Sequence, residues 1–416
     1  IEFDGADSLS LSRIDAGGAS GELALVRHDG KASVSGTLMV PPFDVHALLP
    51  ALAGAASTVA TSDSVWPQGP IDIGSTPRSS DGRIDVKTAA VTSGGAPLLK
   101  DASFGFDWDA QNVHLRNLSG AAGGGTMSLD ATVCCSSAAL PLKQVSGRVI
   151  MSGVALDAVA PAPIAAGLDG TLSGAAEFNG SGETLGQAIE AMTGSGSYTV
   201  TGFSAAQFDP GVFTGLSGLT NVVDLAPEAL AADVTDKLKA GPFAAPSLTG
   251  SFTIAGGILR SPNLAIAGAG ARIFGGANLT LKDLTLDARY SMSPTGKTDA
   301  ASPIDPTTAE IDAVVKGPLW APQTSYDVAS LIEGMKIKAS EIELARLEQL
   351  KAEADARAKA AAQLQARLSA IQPGQAVAAG GAARKLAEDA AAREAAAALA
   401  AKKAAEAAAA QSDLGL

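Results

Sequence analysis

The residue types that most often bind metals are sparse in this sequence. The three histidines, His28, His46 and His114, lie far apart and have no local ligand partners. No HExxH, CxxC or Asp-rich metal loop occurs, and two cysteines are too few for a zinc site without several histidines nearby. We therefore expect no metal site and interpret the histidines as surface or strand residues.

The two cysteines, Cys134 and Cys135, are adjacent in the sequence. A neighbouring pair can close only a small, strained disulfide ring, and it cannot link distant parts of a fold. We therefore expect two free thiols, one on each face of a strand. Cysteine usage leaves the redox compartment open.

Several glycine-rich stretches resemble phosphate-binding loops only superficially. Residues 123–126 lead into period-two alternation, residues 180–186 have the wrong spacing for a dinucleotide fingerprint, and residues 268–272 join two strands. A phosphate cradle needs glycines at a strand-to-helix turn. No Gly-x-Ser-x-Gly elbow occurs, and nothing singles out two carboxylates for acid–base work. We expect no catalytic residue and no cofactor, and the protein is not predicted to be an enzyme.

The charge balance restricts the classes of partner. The chain carries 43 acidic and 30 basic residues, a net charge of −13, which opposes binding to nucleic acid. It also argues against a broad polybasic surface for anionic membranes, but not against an apolar groove. No window approaches about 18 continuous apolar residues. We expect a membrane anchor or export signal upstream of Ile1.

The elements that must carry any function are short strands. Apolar and polar residues alternate through 31–40, 102–109 and 127–133, with Gly, Asp and Asn between the segments. One apolar face and one polar, solvent-exposed face are typical of an antiparallel sheet that is covered on one side. The pattern predicts a mainly β fold with short helices. Its core is an elongated, curved antiparallel sheet that forms a groove, connected as a meander rather than by βαβ units.

A recurring unit is visible along this sheet. A strand is followed by an apolar residue and an Asp, and then by an apolar stretch: the four copies are centred on Asp44, Asp157, Asp209 and Asp327. Such an Asp can cap the free N–H groups of a helix start. The unit predicts four short helices or turns, each capped by its Asp.

The composition changes near residue 335. Residues 341–371 are rich in Ala, Leu, Glu, Lys and Arg, which favour helix, and Pro373-Gly374 and Gly380-Gly381 interrupt the pattern. We predict three regions: an amino-terminal β-sheet region at 1–167, a second β domain at 168–334 and an Ala-rich helical or partly disordered tail at 335–416. The tail is either solvated or a docking element.

Residues 168–334 resemble the C-terminal domain of the AsmA family. The order of elements carries the resemblance: a strand at 168–180, a Gly-x-Gly turn, a short helix at 185–192, a Gly-x-Gly strand at 193–198, strands at 248–259 and 276–281, and a closing Lys-Gly-Pro-Leu-Trp-Ala-Pro at 316–322. The resemblance implies a protein tethered to the inner membrane of a Gram-negative bacterium, with a curved sheet in the periplasm.

The same resemblance implies a role in outer-membrane assembly and phospholipid transport, with a phospholipid or other acyl-chain lipid bound in an apolar β-groove. The alternative is a non-transporting scaffold that binds envelope-assembly proteins through its Ala-rich tail. A surface adhesin built on a β-solenoid would need a regular short repeat, which the strand–Asp–helix units interrupt.

Twelve apolar residues on the predicted inner face are candidates to line the lipid groove. Each buried CH₂ of an acyl chain would gain about 0.8 kcal/mol. The competing interpretation is that these residues close on a helix or second sheet as ordinary core. The segments 45–52 and 185–192 are the candidates to plug the face. The twelve are Phe104, Phe106, Leu115, Leu129, Leu172, Phe178, Val200, Phe252, Ile254, Ile266, Leu281 and Leu286.

Overall fold

The structure is a computed structural model that describes residues 2–3, 8–28, 30–59, 64–73, 78–135, 142–219, 221–297, 299–370 and 373–412. It consists of two compact units, Ile1–Ile342 and Glu343–Leu416. The predicted division at 167/168 falls between two strands that pair with each other, inside the first unit. Residues 413–416 of the predicted tail lie outside the described residues.

The first unit is built on one open, curved sheet. Its strands in the described residues are β1 Glu2–Phe3, β2 Ser8–Ala16, β3 Ala19–His28, β4 Lys31–Val40, β5 Phe43–Asp44, β6 Ser80–Ser93, β7 Ala96–Trp108, β8 Asn112–Ala122, β9 Gly125–Cys134, β10 Lys143–Ala155, β11 Leu168–Gly182, β12 Thr193–Ala205, β13 Phe243–Ala255, β14 Ile258–Ala267, β15 Ala271–Thr280, β16 Thr285–Pro294, β17 Ile311–Pro318 and β18 Gln323–Asp327.

Each strand pairs antiparallel with the next one along the chain, with one exception. The strands β4 and β5 lie in line, and both pair parallel with β6. Pro41 and Pro42, which lack backbone N–H donors, separate these two segments. The chain then leaves the sheet and returns to start β6 beside the start of β4. The mainly β, curved antiparallel fold is thus confirmed, with one crossover that a pure meander would not contain.

Seven α-helices accompany the strands in the described residues of the chain, beside two short 3-10 turns at 45–48 and 55–58, and an eighth closes it. They are α1 Leu49–Ala53, α2 Leu156–Val159, α3 Ala162–Ala165, α4 Leu185–Glu190, α5 Gly211–Ser217, α6 Pro227–Lys239, α7 Ala329–Ser369 and α8 Pro373–Ser412.

In three of the four predicted units the Asp carboxylate accepts a backbone N–H at the start of the following helix or turn, and Asp44 is itself the N-cap residue. The carboxylate of Asp44 accepts the N–H of His46, that of Asp209 accepts Gly211 N–H, and that of Asp327 accepts Ala329 N–H. The fourth prediction is wrong, because Asp157 lies inside the first turn of α2 and that helix has no side-chain cap. The helix–Asp unit is therefore a real local signal where the Asp precedes the first helical residue.

Cross-strand pairing gives the sheet one apolar and one polar face. Phe106 pairs with both Ile84 and Leu115 on one face. On the opposite face Arg148 pairs with both Asp130 and Glu177. Side chains of directly paired residues point to the same side of a sheet, so rows of like character run across many strands.

A first core lies under the amino-terminal half of the apolar face. The crossover between β5 and β6 contributes Leu48 and Leu52 from the turn at 45–48 and α1, and Ile71 from the segment that follows. These side chains pack on buried residues of β6–β10, among them Leu99 and Leu118. The predicted plugging role of residues 45–52 is confirmed for these two leucines.

A second core lies under the carboxyl-terminal half. The helix α6 buries Leu230, Val234 and Leu238, which recur every four residues on one helical face. Leu216 of α5 and Met335 of α7 are also fully buried there, against strands β12–β17. The beginning of α7 is thus part of the folded sheet unit.

The second unit contains the rest of α7 and the helix α8. All side chains of residues 343–369 and 380–399 are exposed. The predicted break near Pro373 is confirmed, because α8 begins there, whereas α8 runs through Gly380 and Gly381 without interruption. In the part of the chain that the structure describes, no helix combines the length and apolar character needed to cross a membrane.

Candidate functional site

The sheet opens between β13 and β14. These two strands are paired only beside their turn, where residues 253–255 meet residues 258–260. Farther along, β13 keeps its pairing with β12, whereas β14 pairs with β15. Hydroxyl groups bridge the start of the divergence: Tyr198 Oη lies 2.9 Å from Ser261 Oγ, which donates to the Ser251 carbonyl at 3.1 Å. The apolar faces on either side of this divergence become two walls.

A partly open cavity of about 850 Å³ lies between these walls. This volume is within the range of about 300–1,000 Å³ that small-molecule sites occupy. Its apolar lining comes from β11–β17: Leu168, Phe203, Leu248, Leu264, Ile266, Ile273, Leu286, Ala288 and Val315. Residues of the β10–β11 connection, of the segment 206–208, of α6 and of β18 complete the lining.

All three tyrosines of the chain line this cavity. Tyr198 lies on β12, with its ring 6.4 Å from that of Phe252. Tyr326 lies on β18; its hydroxyl donates to the Gln207 carbonyl at 2.9 Å, and its ring meets Phe208 edge-on at 5.9 Å. Tyrosine supplies an apolar ring and a polar tip, so the cavity has hydrogen-bonding groups within an apolar wall.

Tyr290 of β16 is the tyrosine whose hydroxyl has no hydrogen-bond partner among the described residues. Its ring has space because the neighbouring strand carries Gly275, where a Cβ atom would lie 2.7 Å from Tyr290 Cδ1. Burial raises the pKa of Tyr290 to about 12, and the nearby Tyr198 contributes in the same direction. The hydroxyl is therefore protonated at neutral pH and can donate a hydrogen bond to a ligand.

The electrostatics of the lining differ from those of the whole chain. Although the chain has a net charge of −13, no Asp or Glu belongs to the described lining. Its one charged side chain is Lys239, at the carboxyl end of α6. Lys239 is exposed and makes no ion pair with a described residue, whereas Lys237 pairs with Asp233 at 2.9 Å. The cavity thus has a free positive charge on its solvent side.

Two of the twelve predicted lining residues, Ile266 and Leu286, line the cavity. Leu172 and Val200 pack in the adjoining second core. Phe252 is half-buried against Tyr198, and Ile254 is buried. Only part of the predicted strand face is therefore accessible from the cavity.

The amino-terminal candidates do not line the cavity. Phe104 and Leu115 are buried in the first core, and Phe106 and Leu129 pack against it. This outcome corrects the expectation of one continuous groove, because the β5–β6 crossover covers the face there. Phe178 borders a separate, shallow depression of about 460 Å³ whose other side chains are mainly polar.

The crossover also reaches the carboxyl-terminal half of the sheet. The indole N–H of Trp66 donates to the carbonyl of Leu281, another predicted lining residue, at 2.6 Å. Pro70 forms an isolated bridge with Thr184, immediately before α4. The segment 64–73 is therefore fixed at both the β11–β12 and β15–β16 connections, and no local sequence pattern predicts this long-range contact.

The adjacent cysteines form a disulfide with each other, contrary to the expectation of two free thiols. Cys134 ends β9, and Cys135 lies beyond it with a φ of 113°. This left-handed backbone conformation breaks the alternation that would send the two side chains to opposite faces. The buried Lys143 donates to the Cys135 carbonyl at 2.9 Å.

Within the described residues, no group of three or more His, Cys, Asp or Glu side chains is arranged to hold a metal ion. Comparison with protein-family models, curated proteins and solved structures finds no match to this chain. The cavity beside β13 and β14 is the feature of the described chain that best fits a binding site. It combines volume, an apolar wall, hydroxyl groups and an opening.

Proposed function

We propose that this protein binds lipid, and that the acyl portion of the lipid occupies the cavity between β13 and β14. The observation that carries the proposal is a partly open cavity of about 850 Å³ lined by the apolar face of the sheet. An acyl chain that leaves water for such a surface gains about 0.8 kcal/mol for each CH₂ group. A chain of ordinary length would therefore be held by hydrophobic burial alone.

The polar groups favour an amphiphile over a pure hydrocarbon. Tyr290 presents a donor without a protein partner, and Lys239 lies on the exposed side. A polar group within a mostly apolar pocket fixes the orientation of a ligand. The head of the lipid would face the opening, with the tail against Leu264, Ile266 and Ile273.

The cellular role follows from the resemblance to the AsmA family. We propose that the chain is the periplasmic part of an envelope protein, tethered to the inner membrane by an anchor upstream of Ile1, with a role in phospholipid transport and outer-membrane assembly. The open, curved sheet supports this proposal because part of its apolar face, on β11–β17, lines a partly open cavity.

The test is the lipid content of protein purified without detergent. We expect mass spectrometry to find phospholipid or another acyl lipid at close to one molecule per chain. Leu286→Trp should fill part of the cavity and reduce this amount severalfold. The matched control is Leu344→Trp, the same change at an exposed tail position, which should retain the lipid.

The outcome that would overturn the proposal is a folded wild-type protein that holds no lipid and takes up none from vesicles. Unfolding curves of both variants establish that they are folded. Loss of lipid from Leu344→Trp as well would place the lipid elsewhere than in the cavity.

The second candidate function is a non-transporting scaffold whose tail binds envelope-assembly proteins. It is favoured by exposed leucines along α7, at Leu344, Leu347, Leu350, Leu364 and Leu368. Deletion of residues 341–416 should abolish capture of partners from envelope extracts and leave the sheet unit folded, because the buried residues of α7 end before this point. Partner capture that survives the deletion would remove this candidate.

A further inference from the structure

The charge distribution around the cavity indicates which lipid heads it accepts. Lys239 is the charged side chain of the described lining, and no carboxylate opposes it there. An exposed lysine attracts an anionic group and repels a quaternary ammonium group.

Lys239 is free to make this interaction. Lys237, two residues earlier, is held by Asp233, and Lys336 donates to the Leu225 carbonyl at 2.8 Å. Lys239 has no such partner among the described residues and belongs to the last turn of α6. Its ammonium group can therefore turn toward a ligand at the opening without breaking an interaction of the protein.

Tyr290, which also lines the cavity, adds a second requirement: a hydrogen-bond acceptor on the ligand. The hydroxyls of Tyr198 and Tyr326 are already bonded, to Ser261 and to the Gln207 carbonyl, whereas that of Tyr290 has no partner in the described chain. This hydroxyl faces a partly open cavity, so a ligand acceptor there would add a hydrogen bond without breaking one within the protein. An ester carbonyl is the acceptor that lies between the head and the acyl chain of a lipid.

We propose that the ligand is an anionic acyl ester of glycerol, with its negative group at Lys239 and an ester carbonyl accepting the Tyr290 hydroxyl. This inference rests on the proposed lipid-binding function and adds head-group charge and linkage as the properties that the site selects. Glycerophosphates with one or two acyl chains share this chemistry.

The first experiment measures binding of soluble short-chain lipids to the full chain by calorimetry. The probes are dioctanoyl phosphatidic acid, dioctanoyl phosphatidylcholine and monooctanoyl glycerol phosphate. We expect the acid to bind more tightly than the choline lipid. Lys239→Gln should weaken binding of the acid about 2- to 5-fold, as for one exposed ion pair, and weaken the choline lipid less, because the positive choline group offsets the charge of its phosphate. Lys239→Glu should weaken binding of the acid further.

Lys87→Gln is the matched control, since Lys87 is exposed on β6, outside the cavity. Equal losses in both variants would show a general charge effect and overturn the assignment of Lys239. The affinities of monooctanoyl glycerol phosphate and dioctanoyl phosphatidic acid, compared with each other, show whether the cavity prefers a ligand with one acyl chain or with two.

The second experiment compares ester-linked and ether-linked forms of the same phosphatidic acid. The ether lacks the carbonyl acceptor. Wild-type protein should prefer the ester about 2- to 10-fold, and Tyr290→Phe should lower ester affinity until the preference disappears, because the ring is kept and the donor is lost. An unchanged preference in Tyr290→Phe would overturn the role of this hydroxyl.

The two levels of proposal fail differently. If all the probes bind with equal affinity, and neither the Lys239 nor the Tyr290 variant changes these affinities, the cavity binds lipid but the proposed selection for charge and ester linkage is wrong. If no probe binds and no lipid co-purifies, the proposed function itself is wrong.

Discussion

The hydroxyl of Tyr326, on the last strand of the sheet, donates a hydrogen bond of 2.9 Å to the carbonyl of Gln207, which lies just beyond the end of β12. These residues are 119 positions apart in the sequence. Both line the cavity, and the edge-on contact of Tyr326 with Phe208 reinforces the link. The bond joins β18 to the wall formed by the segment 206–208.

Tyr326→Phe is expected to loosen this wall without removing it. The variant keeps the ring contact with Phe208 and loses one hydrogen bond, so the free energy of unfolding should fall by about 0.5–1.5 kcal/mol. Hydrogen exchange at the amides of 206–209 should become faster. Denaturant unfolding and exchange detected by mass spectrometry measure the two effects. Unchanged exchange in this segment would show that the hydroxyl does not fix it.

Titration of Tyr290 should make the free energy of unfolding decrease at alkaline pH. Its pKa is raised by burial, and secondarily by Tyr198, from 10.0 to about 12. Below about pH 10 the residue is protonated in both the folded and the unfolded chain, so its contribution is fully present. As pH rises from about 10 to about 12, the unfolded chain releases the proton first, and stability is lost by on the order of 2–3 kcal/mol.

Tyrosinate absorbance during an alkaline titration measures this group directly. The Tyr290→Phe variant should lack the tyrosine transition near pH 12 and show a shallower loss of stability above about pH 10. A variant with the same titration curve per tyrosine as the wild type would contradict the assignment.

Leu216 tests the helical cover of the second core. It is fully buried in α5 and packs in the core beneath α6. Leu216→Ala should lower the free energy of unfolding by about 2–5 kcal/mol through lost burial and a cavity. Leu344→Ala, at a leucine that is 59% exposed, should change it by less than about 0.5 kcal/mol. Urea unfolding of the two variants provides the comparison, and similar values would mean that α5 does not close the sheet.

The disulfide between Cys134 and Cys135 should contribute little to global stability. A disulfide that closes a loop of 15 residues stabilises by about 3 kcal/mol in the chain-entropy model, whereas an adjacent pair encloses no intervening residue. Reduction should therefore shift the unfolding free energy by much less than this value. Alkylation without prior reduction should label neither cysteine; label on both would contradict the bond.

The sheet could be predicted from the sequence because its signal is local. Alternation through residues such as Val34 and Leu38 defines one apolar face, and that face is present in the structure. The Asp caps at Asp44 and Asp327 are local for the same reason. Alternation does not reveal what covers a face. The apolar segment 45–52 was a candidate cover, but the pattern did not decide whether Phe104 and Leu115 would be buried beneath it.

The cavity depends on long-range geometry that no pattern encodes. It exists because β13 and β14 part after three paired positions on each strand. Tyr290 and Lys239 come to the same cavity from β16 and α6, about 50 positions apart, and neither belongs to a recognisable motif. The available hint was that the chain has only three tyrosines and that one of them, Tyr198, sits among small residues in a predicted strand.

The pairing of nearly every strand with its neighbour in the chain has a consequence for how such a molecule can vary. Adding or removing one hairpin in the run from β6 to β18 would leave all other pairings unchanged, as in proteins whose stability is a sum of adjacent contacts. The span of the sheet is thus adjustable in steps of two strands. The crossover before β6 cannot be lengthened or shortened as freely, because Trp66 within it donates a hydrogen bond to Leu281, more than 200 positions away.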